Sequence, residues 1–201
     1  MIAVIDYDAG NIRSVEKAFL KLGQDVIITR DREKILSADK VVLPGVGAFG
    51  DAMEKLNNYG LVSVIKEVVA KGTPFMGICL GLQLIFESSE ESEGVEGLGL
   101  LEGKIVRIPD KEGLKIPHIG WNDITINPAS RLFAGIPNNS YVYFVHSYYL
   151  QAEKESEVAA TTEYSAHIHA AVESGNIFAT QFHPEKSGDV GLKILENFAN
   201  M

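Results

Sequence analysis

From Ile2 to Phe86 the chain alternates short apolar runs with stretches of helical period, and this alternation constrains the fold more than any other feature. Ile2-Ala3-Val4-Ile5 is the first run. Asn11 is placed to cap a helix whose Ile12, Val15, Phe19 and Leu22 share one face, and Gly23 ends it. Asp25 to Thr29 and Lys40 to Leu43 read as the second and third strands. Leu61, Val62, Ile65, Val68 and Val69 make a helical stripe closed by Gly72 and Pro74, and Phe75-Met76-Gly77-Ile78 reads as the fourth strand. Strand–helix repetition with short punctuation predicts an open parallel sheet with helices on both faces. From Gly103 to Gln181 strands dominate, at 104–108, 123–126, 141–145, 158–162 and 177–182, with hairpins expected around Ala166 and Ser174-Gly175-Asn176. Ser187 is placed to cap a last helix carrying Val190, Ile194, Leu195 and Phe198. No repeat or linker divides the chain, so residues 1–201 are expected to form a single domain.

In such sheets ligands bind beyond the C-terminal ends of the strands. Asp8-Ala9-Gly10-Asn11, Pro44-Gly45-Val46-Gly47 and Gly77 to Gly81 all sit at predicted strand ends and should share one edge of the molecule. The ligand there is not expected to be nucleic acid, because a net charge of −9 opposes a phosphate backbone. The acidic, glycine-rich stretch from Glu87 to Gly99 reads as a solvated loop. No apolar run is long enough to cross a bilayer, and the N-terminus reads as a strand rather than a signal peptide. A single cysteine cannot form an internal disulfide, which fits a reducing cytoplasm. The chain is expected to be cytoplasmic, without membrane association.

That cysteine, Cys79, lies in Gly77-x-Cys79-x-Gly81 on the turn from the fourth strand into a helix. This is the cysteine counterpart of a nucleophile elbow. A strand turning sharply into a helix strains the central residue, and small neighbours let the backbone pass. The thiol would stand at a helix N-terminus, where free N–H groups stabilise a thiolate, and the N–H of Leu80 would face the same space. Free cysteines are usually buried and inert, so a packed core residue and a nucleophile both remain open. Gly45-Val46-Gly47-Ala48-Phe49-Gly50 matches G-x-G-x-x-G. It follows the third strand, however, and the position for a ribose-binding acid falls at Glu67 inside a helix. A tight turn, or freed N–H groups that bind a developing anion, fits this loop better than a nucleotide.

A thiol nucleophile needs a base. His167 and His169 read as surface residues of a polar hairpin, and His118 and His146 as hydrogen-bonded structural residues. His183 differs. In Gln181-Phe182-His183-Pro184-Glu185 it ends a strand, and an extended chain would put the His183 and Glu185 side chains on one face. A carboxylate beside an imidazole fixes its tautomer and raises its basicity. Cys79, His183 and Glu185 together fit acyl transfer through a thioester.

Gly77-Ile78-Cys79-Leu80-Gly81-Leu82-Gln83 with His183-Pro184-Glu185 resembles the class I glutamine amidotransferases. The segments Asp6 to Asn11, Leu43 to Phe49, Pro117 to Asn122, Tyr143 to Tyr148 and Phe182 to Ser187 narrow the resemblance to the glutaminase subunits of imidazole glycerol phosphate synthases, over the whole chain. Leu82 stands where that family often has Met. The resemblance implies a flavodoxin-like, open, mixed and mostly parallel sheet flanked by helices, with a strand-rich second half. It implies hydrolysis of L-glutamine by Cys79, His183 and Glu185, with Gly47 and Leu80 as the oxyanion hole and Gln83, Ser147 and Tyr148 gripping the substrate. It also implies a (β/α)8-barrel cyclase partner that takes up the ammonia, met by Asn11, Trp121, Tyr143 and Lys186, and neither cofactor nor metal. For Trp121 a place in the core remains an equal alternative. Rival functions are a class I glutaminase for pyridoxal phosphate or anthranilate synthesis, a partner-free γ-glutamyl hydrolase, and a non-catalytic binding module. The glycines of the 45–47 loop suggest a peptide that turns its N–H into place only when the partner binds its nucleotide.

Overall fold

The computed structural model of the protein describes residues 1–201. Its front half is β1 (Ile2–Ile5), α1 (Ile12–Lys21), β2 (Val26–Thr29), α2 (Arg32–Leu36), β3 (Lys40–Gly45), α3 (Phe49–Asn58), α4 (Leu61–Ala70), β4 (Phe75–Cys79) and α5 (Leu80–Ile85). Strands β2, β1, β3 and β4 lie side by side in parallel. Successive side chains point to opposite faces. Ile2 and Val4 therefore pack under α1 and α6 (Gly188–Ala199), whereas Ala3 and Ile5 pack under α2 to α5. In β1, β3 and β4 both faces are buried, which is why these strands are almost wholly apolar.

The second half holds β5 (Ser88–Ser89), β6 (Gly103–Arg107), β7 (His118–Ile126), β8 (Ser140–His146), β9 (Tyr148–Ala152), β10 (Val158–Tyr164), β11 (Ala166–Ser174) and β12 (Ile177–Thr180). It continues the same sheet. β12 lies parallel beside β4, and β11, β10, β7 and β8 follow antiparallel, with β8 at the edge. β6 and β9 pair with each other, and β9 reaches β11. The expected hairpins form at Ser165 and Gly175, both at positive φ.

Three readings need correction. The stretch holding His167 and His169 is β11, which forms the expected hairpin with β10 and leaves His167 exposed, but it is an interior strand between β10 and β12, and His169 is buried with Nδ1 accepting from Ala152 N at 3.1 Å. The alanines around it leave room for packed layers on both sides, which a count of polar residues does not register. The other two concern Asn11 and Ser187, which precede α1 and α6 but cap neither with a side chain. Both side chains are drawn into the site instead.

Candidate active site

The three segments expected at one edge meet there. Tyr7 Oη donates to Pro44 O at 2.8 Å, and Gly45 pairs with Cys79 across β3 and β4. Cys79 has φ 55° and ψ −107°, a conformation that costs a non-glycine residue about 1–3 kcal/mol. Its surroundings hold it there. A Cβ on Gly81 would stand 1.9 Å from Leu43 O, and one on Gly77 would stand 2.6 Å from Gly81 O. No side chain fits at either position, so α5 can fold back over β3 and β4 only with glycine at both. Strand alternation would send Cys79 to the face of Phe75. The elbow turns it toward the opposite cluster and leaves it 7% exposed at a cleft.

His183 arrives from the neighbouring strand. The parallel pairing of β12 with β4 ends at Thr180 and Ile78, one residue before Gln181 and Cys79, and His183 follows two residues on. Its backbone is extended, as the following proline requires. Glu185 reaches it by another route than the expected one. Pro184–Lys186 form a 3₁₀ turn, and this turn brings Glu185 Oε1 back to His183 Nδ1 at 2.7 Å. The two side chains are 1% and 0% exposed. Asn11 Nδ2 donates to the same carboxylate oxygen at 2.5 Å. Ser187 Oγ donates to His183 O at 2.6 Å and accepts from Tyr143 N at 2.9 Å, tying the loop to β8.

Burial alone would lower the His183 pKa. The adjoining Cys79 and Glu185 outweigh burial and raise it to about 9. Nε2 closes no hydrogen bond of good geometry, so thiol and imidazole couple across an open joint, as unliganded nucleophile–base pairs often do. The site therefore favours imidazolium at neutral pH. Tyr7 feels the same neighbourhood, and burial, then the charge at Cys79, pushes its phenol above the ordinary value.

The cleft above Cys79 has a volume of about 310 Å³ and includes Gly47, Leu80, Gln83, Ser147, Tyr148 and His183 in its walls. Gly47 has φ 108°, open to glycine alone, and its N–H has no acceptor within the chain. Gln83 Nε2 donates to Tyr148 O and to Gln181 Oε1, each at 3.1 Å. Sequence reasoning missed several participants. Gln181, fully buried, sets Nε2 3.8 Å from the Cys79 sulfur. Glu91 and Ser92, expected in a solvated loop, accept from the N–H groups of Phe49 and Gly50 and cap α3 beside the cleft. Each role depends on strands or loops far apart in sequence, and no local pattern marks it.

The positions expected at a partner surface differ in setting. Trp121 is not a core residue. It is 55% exposed on β7 and meets Tyr143 of β8 edge-on at 6.1 Å. Ile119 and Tyr141 are exposed on the same face, and Lys186 is exposed nearby in sequence to the His183 loop. Asn11 is half-buried and turned inward to Glu185.

The glutamine amidotransferase class-I family model matches residues 3–201. An imidazole glycerol phosphate synthase subunit HisH from Methanocaldococcus jannaschii is 49% identical over 201 residues, covering all of both chains. One from Syntrophotalea carbinolica is 50% identical over 206 residues, again covering both chains in full. A solved structure described as a glutamine amidotransferase superposes with a TM-score of 0.76 over 99% of this chain and 100% of its own, at 20% identity, a likeness of fold. No helix is long and apolar enough to cross a membrane. A family match over nearly the whole chain and end-to-end identity near one half lead to one conclusion: the chain belongs to the class-I glutamine amidotransferases, among the imidazole glycerol phosphate synthase subunits of the HisH type.

Proposed function

We propose that the chain is a cytoplasmic, single-domain glutaminase subunit that hydrolyses L-glutamine to glutamate and passes the ammonia to a (β/α)8-barrel cyclase making imidazole glycerol phosphate and an aminoimidazole carboxamide ribotide. The observation that carries this reading is the strained Cys79 elbow facing an imidazole that a buried carboxylate orients. Cys79 attacks the side-chain amide carbon of glutamine. The oxyanion forms against the N–H groups of Leu80 and Gly47. The C–N bond breaks, and the His183 imidazolium gives its Nε2 proton to the departing ammonia. His183 then takes a proton from water, which attacks the γ-glutamyl thioester, and glutamate leaves. Glu185, itself held by Asn11, keeps the Nδ1 proton of His183 in place.

Gln83, Ser147 and Tyr148 take the amino-acid end of the substrate. The NH2 of Gln83 is committed to Tyr148 O and Gln181 Oε1, which leaves its own oxygen to accept from the substrate ammonium. Ammonia released into water at neutral pH is mostly protonated and no longer nucleophilic, so delivery needs a docked acceptor enzyme. The exposed Trp121, packed on Tyr143 of the strand that also sends Val145 and His146 into the cleft wall, supports docking beside the site. The glycine at φ 108° in the 45–47 loop supports control by the partner through this N–H.

The test is glutamine hydrolysis by the purified chain, alone and with the barrel subunit and its nucleotide ligand, with Cys79→Ala as the control. Low activity alone, a steep rise in the complex and loss in Cys79→Ala are expected. Full activity without the barrel would overturn the gated mechanism, and hydrolysis by Cys79→Ala would overturn the nucleophile.

A further inference from the structure

We propose that Gln181 is a further catalytic residue, donating a side-chain N–H to the sulfur of Cys79. The direction of its amide follows from what surrounds it. The carbonyl of Tyr148 can only accept, so Gln83 must turn its NH2 toward it. The same NH2 reaches the Gln181 oxygen at 3.1 Å. With its oxygen committed, Gln181 has only N–H groups to offer the sulfur 3.8 Å away. The order is hard to reverse. His146 Nδ1 also reaches Tyr148 O, at 2.8 Å, and Gln181 is wholly buried, so a flipped amide would set oxygen against oxygen without water to relieve it. The backbone is pinned too, by Gln181 N donating to Ala170 O at 2.8 Å and by the β12–β4 pairing of Thr180 with Ile78, the residues just before Gln181 and Cys79.

A donor at this sulfur acts whenever the sulfur carries charge. It stabilises the thiolate before attack. It acts again when water has added to the thioester, the C–S bond breaks and the electron pair returns to sulfur. Gln181 Nε2 meets the thiol with closed geometry, whereas His183 Nε2 adjoins it more loosely. The inference rests on Cys79 being the nucleophile, and its test does not require glutamine.

Cys79 is the only cysteine in the chain, so its alkylation by iodoacetamide can be followed without background. In Gln181→Met, which removes the donor at similar volume, alkylation at a fixed pH below the thiol's midpoint is expected to slow about tenfold, the size of one charge-assisted hydrogen bond. Its pH profile should move to higher pH. In the complex with the barrel subunit, kcat should fall more than KM changes. An unmoved pH profile in a folded Gln181→Met protein would overturn the proposal. If that variant does not fold, Gln181→Asn, which keeps the amide but withdraws it from the sulfur, decides by the same shift or its absence. A normal shift in a protein that hydrolyses no glutamine with any barrel partner would leave the donor standing and sink the functional reading instead.

Discussion

His183 is under opposing influences. Burial lowers its affinity for a proton, while Cys79 and Glu185 raise it, and the balance falls near pKa 9. A histidine raised in the folded state binds more protons than in the unfolded chain between about pH 6.5 and that value. It therefore adds stability that is complete below about pH 6.5 and is lost as pH rises through about 9. Activity should share that alkaline limit, because the leaving ammonia needs the imidazolium proton. Glu185→Gln keeps the shape and loses the charge. Its kcat is expected to drop roughly 10²-fold, with the alkaline limb of kcat moving toward neutrality. A pH–rate profile of the complex checks this, and an unshifted limb would free Glu185 from the role. The pairing was legible in His183-Pro184-Glu185, although the geometry invoked for it was not. The side chains meet through a 3₁₀ turn rather than an extended strand. Asn11 and Gln181 were not legible in these roles at all, since one polar residue carries no signal until a distant strand is placed beside it.

At the scale of elements, β7 and β8 pair His118 with His146. The acceptor at Tyr148 O fixes the proton of His146 on Nδ1, so Nε2 accepts from His118 Nδ1 at 3.0 Å. His146 must be neutral to accept this bond, and burial lowers the pKa values to about 3 for His146 and about 4 for His118. The sign is opposite to that of His183. The unfolded chain takes up protons that the native pair refuses, so stability is complete above about pH 6.5 and is lost as pH falls toward 4. Each such histidine contributes a slope of up to about 1.4 kcal/mol per pH unit. His118→Phe, whose ring can still stack between Phe144 and Tyr164, should flatten the acid side of a stability–pH curve by about one proton. Parallel curves for variant and wild type would refute this. The elements themselves were unevenly legible. The apolar runs of β1, β3 and β4 are buried on both faces and announce themselves. β9 and β11 do not, because their buried positions include Tyr149, His169 and several alanines. α3 hides behind a loop whose capping groups, Glu91 and Ser92, come from beyond α5.

For the whole molecule, the parallel half of the sheet positions Cys79 and His183, and the antiparallel half carries one wall of the cleft out to the edge strand β8. The exposed Ile119, Trp121 and Tyr141 lie on that extension, 55–60% accessible in a chain whose other large apolar side chains are mostly buried. Trp121 is more than half exposed, and Tyr143 is its aromatic neighbour. Its removal should therefore spare the monomer and weaken assembly, since a tryptophan buried at the centre of an interface typically carries about 2 kcal/mol or more. Trp121→Ala is expected to keep the wild-type melting temperature and bind the barrel subunit at least about 30-fold more weakly by calorimetry. At saturating barrel subunit its glutaminase activity should recover, because Tyr143 still holds the His183 loop through its backbone. Unchanged affinity would move the docking surface away from β7 and β8. A lost melting temperature would instead make Trp121 part of the fold, and the partner would have to be sought on another face of the cleft mouth.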